Sequence, residues 1–207
     1  MPSFDPRAYF PAQEAAYALP ASGTASGLVD TLFGNDIDGP MPYGALLDQH
    51  DLGLTLGIAG TRDTEEWVLD FDFFSIDTPL GAMARGIWAT AGTWRWLSGK
   101  PLNSYPIKRI VCHSRGGPLG ITLSAMLGVP VICFACPKLV SQAVLDKAQI
   151  AAAYWVDGDI VPLAAPMYPD IPQTIRLSAP SSVPLLSIRD HHIFSTYEAA
   201  INEGFAA

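Results

Sequence analysis

Charge is scarce in this chain: 15% of its 207 residues are Asp, Glu, Lys or Arg, against 49% hydrophobic. That balance excludes a disordered polypeptide and a charge-laced coiled coil. Clusters of lysine and arginine are missing, and the formal net charge is −8. An acidic surface disfavours phosphate backbones and anionic membranes, so no nucleic-acid partner is expected. Cysteine is equally sparse. Cys112, Cys133 and Cys136 lack the paired spacing and histidines of a zinc site, and an odd count makes no disulfide framework. They read as buried thiols acting as small hydrophobes, with no metal expected. No uninterrupted apolar run reaches membrane-spanning length, so no integral membrane segment is expected. The first residues, Met1-Pro-Ser-Phe-Asp-Pro6, carry neither the basic nor the apolar part of a signal peptide. They read as cytoplasmic, with secretion open if a leader has been removed. There is no internal repeat and no Gly-x-Gly-x-x-Gly for a dinucleotide.

The length suits one domain, 1–207, with a substantial core. Residues 5 to 19 read as a surface helix ending at Pro20, and 21 to 42 as a Gly/Ser/Asp/Pro-rich connection. Residues 43–207 carry the core. Apolar runs at 43–47 and 52–59, separated by Asp48-Gln-His-Asp51, give a hairpin signal. The spacing of Met83, Ile87, Trp88, Ala91, Trp94 and Leu97 predicts a helix over 81–97 whose tryptophans face the core. Strands at 109–113, 129–135, 152–156 and 174–177 alternate with helices at 118–127, 140–149 and 193–202. The expected fold class is therefore α/β, a mostly parallel sheet with helices on both faces. Its catalytic groups should sit at the carboxyl ends of the strands.

The segment Ile110-Val-Cys-His-Ser-Arg-Gly-Gly117 leads from an apolar strand through a serine among small residues into a helix. This is the outline of a nucleophile elbow, with Ser114 at the tip. Backbone N–H groups at the start of the following helix would face an oxyanion formed beside it. A serine hydroxyl needs a base, and the base needs an acid to fix its tautomer. In such folds the chain order is serine, acid, histidine.

His50 precedes the elbow, in the hairpin turn, and His113 adjoins the serine, where it is poorly placed to act as base. His191 and His192 remain, just before the last helix. The Asp190-His191 pair leans the choice to His191, whereas counting back from Tyr197 favours His192. Of the two carboxylates after the 152–156 strand, Asp157-Gly158 has turn chemistry, so Asp159 is the better acid. Leu56-Gly-Ile-Ala-Gly-Thr61 ends a buried strand in Gly-Thr. There the Thr61 hydroxyl and N–H could complete an oxyanion hole with the N–H of Arg115.

Together these motifs resemble the class 3 lipases, the fungal triacylglycerol lipase type. Gly60-Thr61 followed by Trp67 and Asp70 resembles the family's oxyanion residue and the short lid helix it opens. Tyr43-Gly-Ala-Leu-Leu47 is similar to its first hairpin, and Cys112-His-Ser-Arg-Gly-Gly117 stands where the family has Gly-His-Ser-Leu-Gly-Gly. Phe134-Ala-Cys-Pro-Lys-Leu-Val140, Asp159-Ile-Val-Pro162 and the stretch from the histidines to Tyr197 resemble three further motifs in the same order. The resemblance covers about residues 43 to 200. It implies an α/β-hydrolase fold and a triad of Ser114, Asp159 and His191 or His192. It also implies an oxyanion hole from Thr61 and Arg115, a lid carrying Trp67, an ester or lipid substrate, and no cofactor.

Two departures bear on chemistry. Cys112 replaces a glycine at the tight turn, and Arg115 replaces a leucine and puts a cation beside the nucleophile. Residues 62 to 69, Arg-Asp-Thr-Glu-Glu-Trp-Val-Leu, set one large aromatic among three acids, a poor surface for entering lipid. The reading is therefore a carboxylesterase for short to medium acyl chains. The same triad would serve an acyltransferase or a phospholipase A1. The alternative from another class is an inactive hydrolase fold used as a binding module.

Overall fold

In the computed structural model, residues 5–22, 26–36, 39–60, 74–184 and 192–205 are described. Asp5 caps the N-terminus, its carboxylate accepting the Arg7 N–H at 3.0 Å, and Pro6 opens a 3-10 turn over Pro6–Tyr9. The turn runs into helix α1 (Phe10–Ser22). Strands β1 (Leu28–Asp36) and β2 (Gly39–Asp48) form an antiparallel pair, and a 3-10 turn at His50–Leu52 leads to β3 (Leu54–Ile58). The expected hairpin is thus β2–β3. The expected connection over 21–42 is largely strand. Its polar and glycine content hid β1, which gains its stability from pairing along β2 and from burying Leu32.

Short strands β4 (Ser75–Ile76) and β5 (Met83–Ala84) pair with each other ahead of helix α2 (Arg85–Ala91), and β6 (Arg95–Trp96) closes on β1. The helix expected over 81–97 is therefore confined to its middle. The turn at Gly92 and Thr93 frees Trp96 to be buried as a strand residue. Trp88 and Trp94 pack against the core as partly buried side chains.

Beyond this lie β7 (Arg109–His113), α3 (Gly116–Leu127), β8 (Pro130–Phe134), α4 (Gln142–Leu145), β9 (Gln149–Val156), β10 (Thr174–Leu177) and α5 (Phe194–Phe205). Helix α4 is shorter than the 140–149 expected, because β9 already begins at Gln149 and pairs with Pro130.

Among the described residues the main sheet has eight strands in the order β10-β9-β8-β7-β3-β2-β1-β6, parallel from β3 to β10 and antiparallel beyond β3. Side chains alternate between its two faces. Ile110, Cys112, Val131 and Cys133 join Ile87 of α2 and Leu119, Ile121 and Leu123 of α3 in one core. Val111, Ile132, Phe134 and Tyr154 join Ala12 and Ala16 of α1 and Tyr197 and Ile201 of α5 in the other. Both faces are covered, which is why the central strands read as continuous apolar runs. Among the described residues no helix is long and apolar enough to cross a membrane.

Candidate active site

Strand β7 ends at His113, and the next residue, Ser114, takes φ = 56° before Arg115 returns to −53° and α3 begins. A left-handed backbone at a non-glycine residue is strained and must be held by its surroundings. Here the Ser114 N–H donates to Phe134 O at 2.9 Å, and the Ser114 carbonyl accepts the Gly117 N–H at 2.8 Å. Gly116 is required by close approach: a Cβ there would stand 2.6 Å from Ile58 O and 2.8 Å from Ala59 O. Cys112 fits because it is an ordinary strand residue, its Sγ 3.2 Å from Ile132 O, and because it faces Gly120 of α3, where a Cβ would reach within 2.8 Å of that sulfur.

Three buried side chains line up at this end of the sheet. Ser114 Oγ is 2.8 Å from His192 Nε2, and His192 Nδ1 is 3.0 and 3.2 Å from the two carboxylate oxygens of Asp159. A carboxylate only accepts, so the proton of the neutral ring sits on Nδ1 and leaves Nε2 to accept from the serine hydroxyl. Asp159 is 1% exposed. Its carboxylate also accepts the Val161 N–H at 2.9 Å and the Tyr197 hydroxyl at 2.5 Å, so the buried charge is shared among three donors. Burial first, then the charge of Asp159, holds the Tyr197 phenol well above its usual range, and it stays a donor. Asp157 lies exposed in the preceding turn, away from this chain of bonds.

Of the residues singled out from sequence, Ser114, Asp159 and His192 are brought together. His191, Thr61 and Trp67 lie outside the described residues. Gly60, just before Thr61, stands against the elbow, where a Cβ would be 2.7 Å from Ser114 Cβ. Arg115 occupies the N-cap position of α3. Its buried side chain runs to α2 and the first hairpin: Nη2 is 3.3 Å from Thr90 Oγ1, and the guanidinium is 5.8 Å from the Tyr43 ring centre.

Residues not picked out as functional complete the setting. Tyr197, which in the sequence only ends the histidine segment, donates to Asp159. His113 is buried between Tyr17 of α1, 2.6 Å from its Nδ1, and the His192 carbonyl, 2.8 Å from its Nε2. A histidine following the apolar residues Ile110, Val111 and Cys112 of a buried strand is itself a signal, since both ring nitrogens need partners there.

The three cysteines are buried free thiols, Cys112 and Cys133 with sulfurs 3.5 Å apart. Among the described residues no group of three or more His, Cys, Asp or Glu converges to hold a metal ion. A cavity of about 560 Å³ opens between β9, β10 and the loop after Asp159, lined by Lys138, Trp155, Leu163 and Arg176 among others. Ser114, Asp159 and His192 are not part of its lining.

The architecture is the α/β-hydrolase fold, a mostly parallel sheet with helices on both faces. No family model and no curated protein sequence matches the chain. Solved structures do. A Rhizomucor miehei lipase in a propeptide complex is similar with a TM-score of 0.66 and 14% identity, over 91% of this chain and 76% of that one. Lipase II from Rhizopus niveus gives 0.64 and 14%, over 89% and 91%. A triacylglycerol lipase from Penicillium expansum gives 0.54 and 16%, over 84% and 79%. At such identities the likeness is one of fold, and chemistry has to be argued from the site.

Proposed function

We propose that the protein is a serine carboxylic ester hydrolase acting on short- to medium-chain acyl esters. The observation that carries this reading is the buried chain Ser114–His192–Asp159, closed at 2.8 and 3.0 Å, with the serine held at φ = 56° at the tip of a strand-to-helix turn. In this reading His192 Nε2 takes the Ser114 proton as Oγ attacks the ester carbonyl carbon. The oxyanion forms beside the start of α3, where the Arg115 N–H is one donor and Thr61, the residue after Gly60, supplies the other. The imidazolium, stabilised by Asp159, then protonates the departing alcohol. Water, deprotonated by the same nitrogen, releases the acid from the acyl-enzyme and returns the proton to Ser114.

The substrate class is supported by the surroundings. Ile160 and Leu163 lie one turn apart, the Leu163 N–H donating to Ile160 O at 3.0 Å. They are 46% and 52% exposed, an apolar lip directly after Asp159. The acid-rich stretch 62–69 argues against insertion into a lipid surface. Hydrolysis of p-nitrophenyl esters with two to sixteen carbons, by wild type and Ser114→Ala, tests both parts. Ser114→Ala should lower turnover on the order of a million-fold, and wild-type rate should peak at short or medium chains. A sharp rise in rate as an emulsified long-chain triglyceride passes its solubility limit would overturn the chain-length part.

A further inference from the structure

His113 is a buried titratable group beside the site that the proposed reaction does not use. His113 Nε2 lies 2.8 Å from the backbone carbonyl of His192, and its Nδ1 lies 2.6 Å from the Tyr17 hydroxyl. A carbonyl only accepts, so Nε2 carries the proton, and the neutral ring then accepts from Tyr17 at Nδ1. The Tyr17 oxygen in turn accepts the Gly60 N–H at 3.1 Å. Every donor and acceptor in this series has one consistent direction: Gly60 N–H to Tyr17, Tyr17 O–H to His113, His113 N–H to His192.

We propose that His113, with its tautomer set by the His192 carbonyl and its ring held by the Tyr17 hydroxyl, is a positioning residue that fixes the backbone of His192 relative to Ser114. The proposal rests on the ester-hydrolase reading above. Ser114 and His113 are adjacent at the end of β7, so one short segment carries the nucleophile and grips the residue whose ring must meet it. Asp159 and Ser114 constrain the imidazole of His192, and His113 constrains its main chain. The two rings also lie side by side, centres 5.1 Å apart and tilted by 34°. A second cation there would oppose the imidazolium formed during turnover. Burial, with the proximity of His192, keeps His113 well below the usual histidine range, so it remains neutral. The series also gives the N-terminal helix a part in the site: Tyr17 of α1 ties the end of β3, one residue before Thr61, to the base.

Four variants of the full chain test this on a soluble short-chain ester, with folding checked by circular dichroism and urea midpoint. His113→Leu removes the donor to His192 and should lower kcat about 100-fold while KM stays within about twofold, the effect of misplacing a reacting group. His113→Gln keeps an N–H donor of similar reach and should recover kcat to within about tenfold of wild type. Tyr17→Phe should lower kcat about tenfold alone, and clearly less in the His113→Leu background, because the series is already cut. The proposal is overturned if folded His113→Leu keeps wild-type kcat, if Gln rescues nothing, or if the two changes are additive. Should His113→Leu fail to fold, Gln and Tyr17→Phe decide, and unchanged kcat in Tyr17→Phe is then the contradicting result. Ser114→Ala run alongside separates the two claims. If it retains activity the ester-hydrolase reading itself fails, whereas its inactivity beside a fully active His113→Leu sinks only the positioning role.

Discussion

The hydroxyl of Tyr197 stands 2.5 Å from Asp159 Oδ2 and accepts the Val156 N–H at 3.3 Å. One phenol on α5 thereby joins the end of β9 to the buried carboxylate. Tyr197→Phe deletes a hydrogen bond to a charged group and leaves a strand N–H without that acceptor. It should cost about 1.5–3 kcal/mol of stability, read as a lower urea midpoint. It should also lower kcat/KM by roughly 10-fold, because the bond holds Asp159 more firmly against the imidazolium of the transition state than against the neutral ring of the resting enzyme. An unchanged midpoint and unchanged kinetics would show the contact to be idle.

Glu198 on α5 faces Glu14 on α1, and burial together with the charge of Glu14 pushes its carboxyl up to about 7. The folded chain therefore holds a proton that the unfolded chain has released between about pH 4.5 and 7. The sign follows: this site favours the fold most below pH 4.5, and the advantage is lost as pH rises through about 7. Glu198→Gln removes the dependence. Since the group is only partly buried, solvent screening limits the effect at pH 8 to about 1 kcal/mol in the variant's favour. Urea midpoints at pH 5 and 8 should fall less in the variant than in wild type, and parallel falls would refute the pairing.

Gly116→Ala places a methyl group 2.6 Å from Ile58 O and 2.8 Å from Ala59 O, both fixed backbone atoms. The end of β3 must then move away from the elbow. Overpacking of this kind costs about 1–3 kcal/mol. Activity should fall further than stability does, because the shift separates Gly60 and its successor from Ser114. A variant with wild-type kcat would show that the junction tolerates the displacement.

How much of this was legible in the sequence depended on which forces shaped each element. Strands β7 and β8 are buried on both faces, so their apolar runs declared them, and the elbow followed from the small residues around Ser114. Strand β1 was missed because a strand with Asp30, Thr31 and Gly34 owes its existence to the partner on each side. Residues 140–149 looked helical, yet tertiary pairing claims Gln149 for β9. Asp159 was separable from Asp157 by its place before Ile160-Val-Pro162. The histidine was harder, since His191 and His192 differ by one position and a pairwise motif cannot say which ring turns inward. The hydrogen bonds run to His192. His113 is badly placed for a base, and no one-dimensional pattern links it to Tyr17, 96 residues away.

The central claim is that Ser114 is a nucleophile activated by His192. The most direct measurement is the intact mass and peptide map after treatment with a p-nitrophenyl alkylphosphonate, which loses nitrophenolate when an activated serine attacks its phosphorus. One adduct per chain is expected, confined to the peptide holding Ser114, absent in Ser114→Ala and slowed at least about 1,000-fold in His192→Ala. An adduct elsewhere, or none on a folded protein that still hydrolyses esters, would contradict it.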